Sequence, residues 1–378
     1  MKWKSVAMSL LAAQAVTGFR FPMYMDQWHK DLPDSDKTGG ITHAIMSFAE
    51  AKSFNSDPPT KWQPFEPIDT TRKRFSKDTK LLVAIGGWGD TSGFSTGAKD
   101  EASRKRYAKN VAAMVQEFGL DGVDIDWEYP GGNGDDYKKV PNSEKTWEIE
   151  AYPLFLAAIR EAIGNDKVLS IAVPGKKGDM IAFTKEQGPN IWRSVDFVNV
   201  MTYDLMNRRN TETKHHTGLK DSLDTIRAYK EIGLDSSKIN LGFAYYAKYF
   251  ETAPDAGCDQ HPLGCQTAVM EDAQGADTGK SGVVTFDKAQ DGVSATAKAS
   301  WARALQSGIT DEDAGGQYYF DKDVNYFWTW DTPALIKRKF KDIVDAEKLG
   351  GVFAWSLAQD NLNWEHLQAM QEGAKERS

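Results

Sequence analysis

Cysteine is almost missing from this chain: Cys258 and Cys265 are the only two among 378 residues. They lie seven apart in a Gly/Pro/Asp-rich loop, a span that suits a local disulfide, with two free thiols as the other reading. An excess of base is also missing. Lys and Arg total 46 against 54 Asp and Glu, a net charge of −8, which argues against nucleic acid or an anionic membrane surface as partner. Beyond the N-terminal segment no apolar run is long enough to form a transmembrane helix. The chain contains no Asn-x-Ser/Thr acceptor, so N-glycosylation is not expected. It has no internal repeat, no low-complexity stretch and no Ser/Pro-rich linker to a separate binding module.

What is present starts at the N-terminus. Met1-Lys2-Trp3-Lys4-Ser5 is followed by an apolar run of roughly ten residues ending in Ala13-Gln14-Ala15. Residues 1–15 therefore read as a secretory signal peptide with a small-x-small cleavage site, and a first helix is the other reading. Export and the cysteine pair agree with one another and predict a secreted, extracellular protein. Aromatics are abundant, with 12 Trp, 13 Tyr and 18 Phe. Any one of them is readily explained as core, yet aromatic faces are also what sugar rings stack on.

Short β-rich runs alternate with helical patterns. Strands are predicted at Phe19–Met25, Ile41–Phe48, Leu81–Ile85, Gly122–Asp126, Val168–Val173, Phe197–Thr202, Ile239–Ala244 and Val352–Ser356. Helices are predicted at about Ala102–Phe118, Glu148–Ile163, Leu219–Ile232, Pro333–Ala346 and Leu362–Glu372. Eight strands separated by helical segments predict an α/β fold, a closed parallel (β/α)8 TIM barrel over residues 16–378. One interval breaks the alternation. About 80 residues separate the seventh strand from the helix near Pro333, too many for a loop. A small α+β insertion at about 251–325 is expected there.

The densest chemistry lies in Asp121-Gly122-Val123-Asp124-Ile125-Asp126-Trp127-Glu128-Tyr129-Pro130. In an extended segment, Asp124, Asp126 and Glu128 share one face while Val123, Ile125 and Trp127 share the other. Buried like charges are costly and resolve themselves by pKa shifts. Barrel active sites sit at the C-terminal strand ends, so Glu128 is expected at the mouth with Asp126 and Asp124 below it. Three stacked carboxyls imply that at least one is protonated at neutral pH, a general acid in waiting. A Ca²⁺ or Mg²⁺ site and a solvated strand edge compete with this reading. The strict alternation with Val, Ile and Trp opposes both, so no metal or other cofactor is expected. A second constellation, Met201-Thr202-Tyr203-Asp204, ends the sixth strand, and Trp355 lies on the last one as floor or core.

Two lookalikes carry nothing. Gly275–Ser281 has one residue too few between its glycines for a phosphate loop, and it does not join a strand to a helix. His215-His216 lacks a metal-ligand partner spacing and reads as loop or helix start.

The Asp121–Glu128 run resembles the Asp-Gly-x-Asp-x-Asp-x-Glu signature of glycoside hydrolase family 18, the chitinase family. The resemblance extends to Tyr24 and Trp28, Phe48, Gly86-Gly87-Trp88, Met201-Thr202-Tyr203-Asp204, Tyr246 and Trp355. It implies retaining hydrolysis of β-1,4-linked N-acetylglucosamine, with the substrate's acetamido group as nucleophile. Glu128 would be the acid/base, Asp126 would orient the acetamido group, Tyr203 would hydrogen-bond its carbonyl, and Asp124 would hold the shared proton. Trp355 would floor the cleavage subsite, with Tyr24, Phe48, Met201, Asp204 and Tyr246 around it. Trp88 and Tyr129 would contact neighbouring sugars, and Asp121 would be structural. The implied partner is chitin or a chito-oligosaccharide, met by a monomer. An endo-N-acetylglucosaminidase acting on glycoprotein glycans and a non-catalytic chitin-binding lectin are the other readings. Two departures stand out: Ala84 replaces the usual third-strand Ser, and Ala247-Lys248 replaces Gly-Arg after Tyr246.

Overall fold

The structure is a computed structural model and describes residues 18–287, 290, 292–360 and 363–377. The expected signal peptide, residues 1–15, lies outside the described residues. So does Leu362, the expected start of the last helix.

Eight parallel strands close on themselves: β1 Pro22–Asp26, β2 His43–Ala49, β3 Lys80–Gly86, β4 Gly122–Asp126, β5 Val168–Pro174, β6 Phe197–Met201, β7 Ile239–Ala244 and β13 Gly351–Trp355. Their order around the barrel is β1-β13-β7-β6-β5-β4-β3-β2. The helices expected from periodicity lie at Glu101–Glu117, Glu148–Ile163, Leu219–Glu231, Pro333–Lys339 and Glu365–Lys375. The helix from Pro333 continues as a π-helical stretch over Phe340–Asp345. Shorter helices at Ile68–Lys73, Thr91–Ala98 and Gly188–Trp192 were not evident from the sequence pattern.

The two faces of β4 divide as alternation predicts. Val123, Ile125 and Trp127 belong to the apolar layer between barrel and helices. Trp127 is 1% exposed and stacks on Phe94 at 5.3 Å, with Tyr152 and Phe155 edge-on to it. Asp124 and Asp126 occupy the other parity and are buried. The barrel interior holds a separate apolar cluster that includes Tyr24, Leu82, Ala84, Met201 and Phe353.

The insertion is a five-stranded antiparallel sheet built from β8 Tyr246–Glu251, β9 Ser281–Thr285, β10 Ile309–Asp311, β11 Gly316–Asp321 and β12 Tyr326–Trp330, in the order β10-β11-β12-β8-β9. A helix at Ala295–Ser307 packs on it through Trp301, which meets Trp328 and Trp330. The sheet therefore extends a few residues beyond 251–325 at both ends. Tyr246 opens the insertion rather than closing the seventh barrel strand. Its loop carries a disulfide between Cys258 and Cys265, whose Cα atoms are 5.5 Å apart.

Candidate active site

The strand ends that surround the barrel mouth bring the expected residues to one cleft of about 630 Å3. Trp28, Phe48, Trp88, Asp126, Glu128, Met201, Tyr203, Asp204, Tyr246 and Trp355 all line it. Three of the expected residues lie elsewhere. Asp124 and Tyr24 are buried beneath the cleft, and half-buried Tyr129 sits behind its wall, edge-on to Trp88 at 6.5 Å.

Backbone geometry explains the Gly-Gly-Trp run. Gly86 and Gly87 have φ of +106° and +90°. A Cβ on Gly86 would come within 2.4 Å of the Asp126 carbonyl oxygen, and one on Gly87 would come within 2.8 Å of the Phe48 ring. With hydrogens in their place, the Gly87 N–H donates to the Asp126 carbonyl at 2.8 Å, and the chain turns to present Trp88. Trp88 is 50% exposed and Trp28 60%, unusual values for indoles in a folded chain. Between them Trp355 stacks on Phe48 at 5.4 Å and 20°, and Trp28 meets the Phe48 ring at 6.4 Å. The cleft thus has an aromatic floor running from Trp28 through Phe48 to Trp355, and a wall at Trp88 beyond Glu128.

Asp124 is saturated with donors. Its Oδ2 accepts from Tyr24 Oη at 2.7 Å and its Oδ1 from Ser170 Oγ at 2.6 Å, with Asn199 Nδ2 at 3.4 Å. Asn199 also donates to Tyr24 Oη at 3.0 Å and accepts from Asn240, which in turn accepts from Arg20 Nε at 3.0 Å. A polar column therefore crosses the barrel from Arg20 to Asp124. Ala84 is the β3 neighbour of Asp124 in register, and Ser170 reaches Asp124 from β5 on the other side. The hydroxyl missing at Ala84 is matched by one from a different strand.

Burial pushes the Asp124 carboxyl up to about 6 despite these donors. Asp126 is pushed well above the usual carboxylate range by burial, then by Glu128 and Asp124, and its Oδ1 has no partner within the protein. A buried, orphaned acceptor is rare in a folded protein and marks a place where a ligand donor belongs. Burial also raises Glu128 to about 8, against a bond from Tyr129 and with help from the charges of Asp204, Asp179 and Asp135. The strand therefore carries protons at neutral pH, as its spacing implied. Burial and the adjacent carboxylates hold the Tyr203 phenol neutral, a donor facing the same space.

Asp204 behaves in the opposite way. Burial raises it, but Lys248 and His216 overcome that and hold it well below the usual carboxylate range. Lys248 Nζ and Tyr246 Oη donate to its Oδ1 at 2.9 and 3.0 Å, and His216 Nδ1 lies 3.8 Å away. Lys248, one of the two departures after Tyr246, is thus the cation on that side of the cleft.

Sequence reasoning missed Ser170, Asn199, Asn240 and Asp26. Ser170 and Asn199 had a signal: each is a polar residue at an inward position of an otherwise apolar strand. Asp26 Oδ1 accepts from the backbone N–H groups of Trp28 and His29, both at 2.9 Å, and its other oxygen from Ser356, so it ties the Trp28 and Trp355 strand ends together. His216, set aside as a loop residue, is fully buried behind Asp204. Asp121 serves structure, accepting from the Leu81 N–H at 2.8 Å and pairing with Arg72 at 3.0 Å.

Comparison with known proteins converges on one family. The family described as "Glycosyl hydrolases family 18" matches residues 20–360. Chitinase 1 of Aphanocladium album is 24% identical over 90% of this chain and 81% of its own length. Endochitinase 1 of Metarhizium robertsii is 25% identical over 76% of this chain, which covers 63% of that protein. Among solved structures, a plant class V chitinase mutant from Cycas revoluta in complex with (GlcNAc)3 superposes with a TM-score of 0.71 at 19% identity, covering 94% of this chain and 99% of that one. With the family matched across nearly all of the described barrel, this chain belongs to glycosyl hydrolases family 18 and is a glycoside hydrolase.

Proposed function

We propose that the protein is an exported, monomeric chitinase that hydrolyses β-1,4 linkages between N-acetylglucosamine units with retention of configuration. The observation that carries this reading is the β4 column: a proton-bearing Glu128 in the cleft above Asp126, whose buried Oδ1 lacks a partner. An N-acetylglucosamine ring over Trp355 brings its acetamido N–H to Asp126 and its acetamido carbonyl to the Tyr203 hydroxyl. Glu128 gives its proton to the glycosidic oxygen as the C1–O bond breaks, and the acetamido oxygen closes on C1 from the opposite face. The resulting oxazolinium cation is balanced by the Asp124–Asp126 pair, which shares one proton. Glu128, now a carboxylate, takes a proton from water as that water attacks C1, and both the ring and the acid are restored. No second nucleophilic carboxylate is required. The names of the relatives above and the disulfide agree with chitin as substrate and with export.

The test is time-resolved product analysis. Fresh chito-oligomer products should carry excess β-anomer, and colloidal chitin should release soluble oligomers while a high-mannose glycoprotein releases no glycan. Glycan release without chitin turnover would favour an endo-N-acetylglucosaminidase, and binding without turnover of either would favour a lectin.

A further inference from the structure

The chemistry just described uses the main cleft, but a second cavity of about 240 Å3 opens beside it. It shares Trp88 and Asp204 with the cleft and runs between Arg208 and Arg209, after β6, and Ser281 and Val283 of β9. β9 is the edge strand of the insertion sheet and pairs only with β8. Val283 is 44% exposed there, an apolar side chain left bare beside polar ones.

The position of this cavity relative to the acid is defined. The aromatic floor from Trp28 to Trp355 lies to one side of Glu128, and Trp88 lies on the other. Once a sugar sits over Trp355, units beyond Glu128 belong to the leaving chain. The cavity therefore extends the leaving side.

Its far wall is fixed rather than loose. Arg209 Nη1 and Nη2 donate to the carbonyls of Asn133 and Gly134, both at 2.9 Å, in the loop that follows Glu128. The Arg209 guanidinium lies 3.9 Å over the Tyr137 ring and 5.5 Å over Trp88. Tyr137 Oη donates to Glu271 of the insertion at 2.6 Å, and Arg208 Nε donates to the same carboxylate at 2.7 Å. The β4 loop, the β6 loop and the insertion are thus bolted together around Arg209, and a planar donor of this kind is preorganised for hydroxyl and carbonyl oxygens.

We propose that this cavity is a subsite for a second N-acetylglucosamine unit on the leaving side, and that Arg209 determines its specificity. Trp88 takes the first leaving unit, and the next one passes between Arg209 and β9. The proposal rests on the chitinase reading above.

The experiment measures which bonds of defined chito-tetramers and chito-hexamers are cut, by anomer-resolved chromatography. The wild type should favour registers with two units beyond Glu128 over registers with one by about tenfold, the weight of one modest binding site. Val283→Trp, which fills the cavity from β9 without touching the Arg209 bonds, should bring that ratio close to one while hydrolysis continues. Arg209→Ala should do the same. An unchanged ratio in Val283→Trp overturns the subsite, even if Arg209→Ala shifts it, because Arg209 would then act only through the β4 loop. If the wild type cuts no chito-oligomer at all, the chitinase reading itself falls, a result distinct from a changed or unchanged ratio.

Discussion

On the β4 side of the cleft, Asp124, Asp126 and Glu128 stand in a column with hydroxyl and amide donors but no cation bonded to them. On the β6 side, Asp204 has the Lys248 ammonium at 2.9 Å and the Tyr246 hydroxyl beside it. Both sides bury carboxyl groups, and they end in opposite states. Neutral donors do not offset the cost of burying an anion, so the column takes up protons. A single ammonium does offset it, so Asp204 stays charged. One cleft thus holds a proton source and a fixed anion, set by one lysine that the strand motif did not announce.

The sharpest way to break this contrast is to remove the proton source. Glu128→Gln should lower kcat by about a thousandfold, at the strong end for a general acid, while calorimetry still detects chito-oligomer binding. Substantial residual turnover would mean that the column's proton is not the one delivered. Next in size, Asp126→Asn should cost roughly a hundredfold in kcat with little change in binding, since it removes the acceptor that orients the acetamido group. An unchanged rate would separate the orphaned Oδ1 from the chemistry.

Smaller effects test the coupling between the two sides. Activity needs Glu128 protonated, so kcat/KM should fall as pH rises through about 8. The Asp204 charge contributes to that elevation, so Asp204→Asn should move the basic limb to lower pH, by about half a unit, whatever it does to the rate. A limb that stays in place or moves upward would show the two sides to be independent.

Stability should follow the same proton. The folded-state pKa of Glu128 is raised from 4.5 to about 8, so the native state binds the extra proton between those values and loses stability as pH climbs through that window. Glu128→Gln should therefore raise the melting temperature more at pH 8 than at pH 5, by differential scanning fluorimetry. An equal gain at both pH values would deny that Glu128 is held protonated by the fold. The smallest effect is expected for Ala84→Ser. Tyr24, Ser170 and Asn199 already serve Asp124, so kcat/KM should change by no more than about threefold.

Much of this was legible in the chain before any coordinates. The eight barrel strands are visible because each is a short apolar run between turn signals, and Glu148–Ile163 is bounded in the structure as its periodicity predicts. The β4 column is visible because alternation is strict. Less visible was whatever depends on a partner from another strand. Lys248 could be flagged only as a departure, since its distance to Asp204 is set by the turn from β7 into β8. Ser170 and Asn199 act through barrel closure, which no local window contains. Tyr129 had the right neighbours in sequence, but its ring turns behind the cleft wall to meet Trp88.

The place where the insertion is spliced has an evolutionary consequence. It leaves the barrel after β7, and the chain returns to β13, which pairs with β7 residue for residue from Gly351↔Asn240 to Trp355↔Ala244. The two barrel staves on either side of the excursion are hydrogen-bonded to each other, so the sheet is continuous where the sequence is not. Selection can lengthen, trim or exchange such an appendage without renegotiating barrel closure or the acids on β4, three staves away. Lys248 and Val283 travel with the appendage, so the charge beside the cleft and the reach of its leaving side can be inherited as a cassette while the proton donor stays behind.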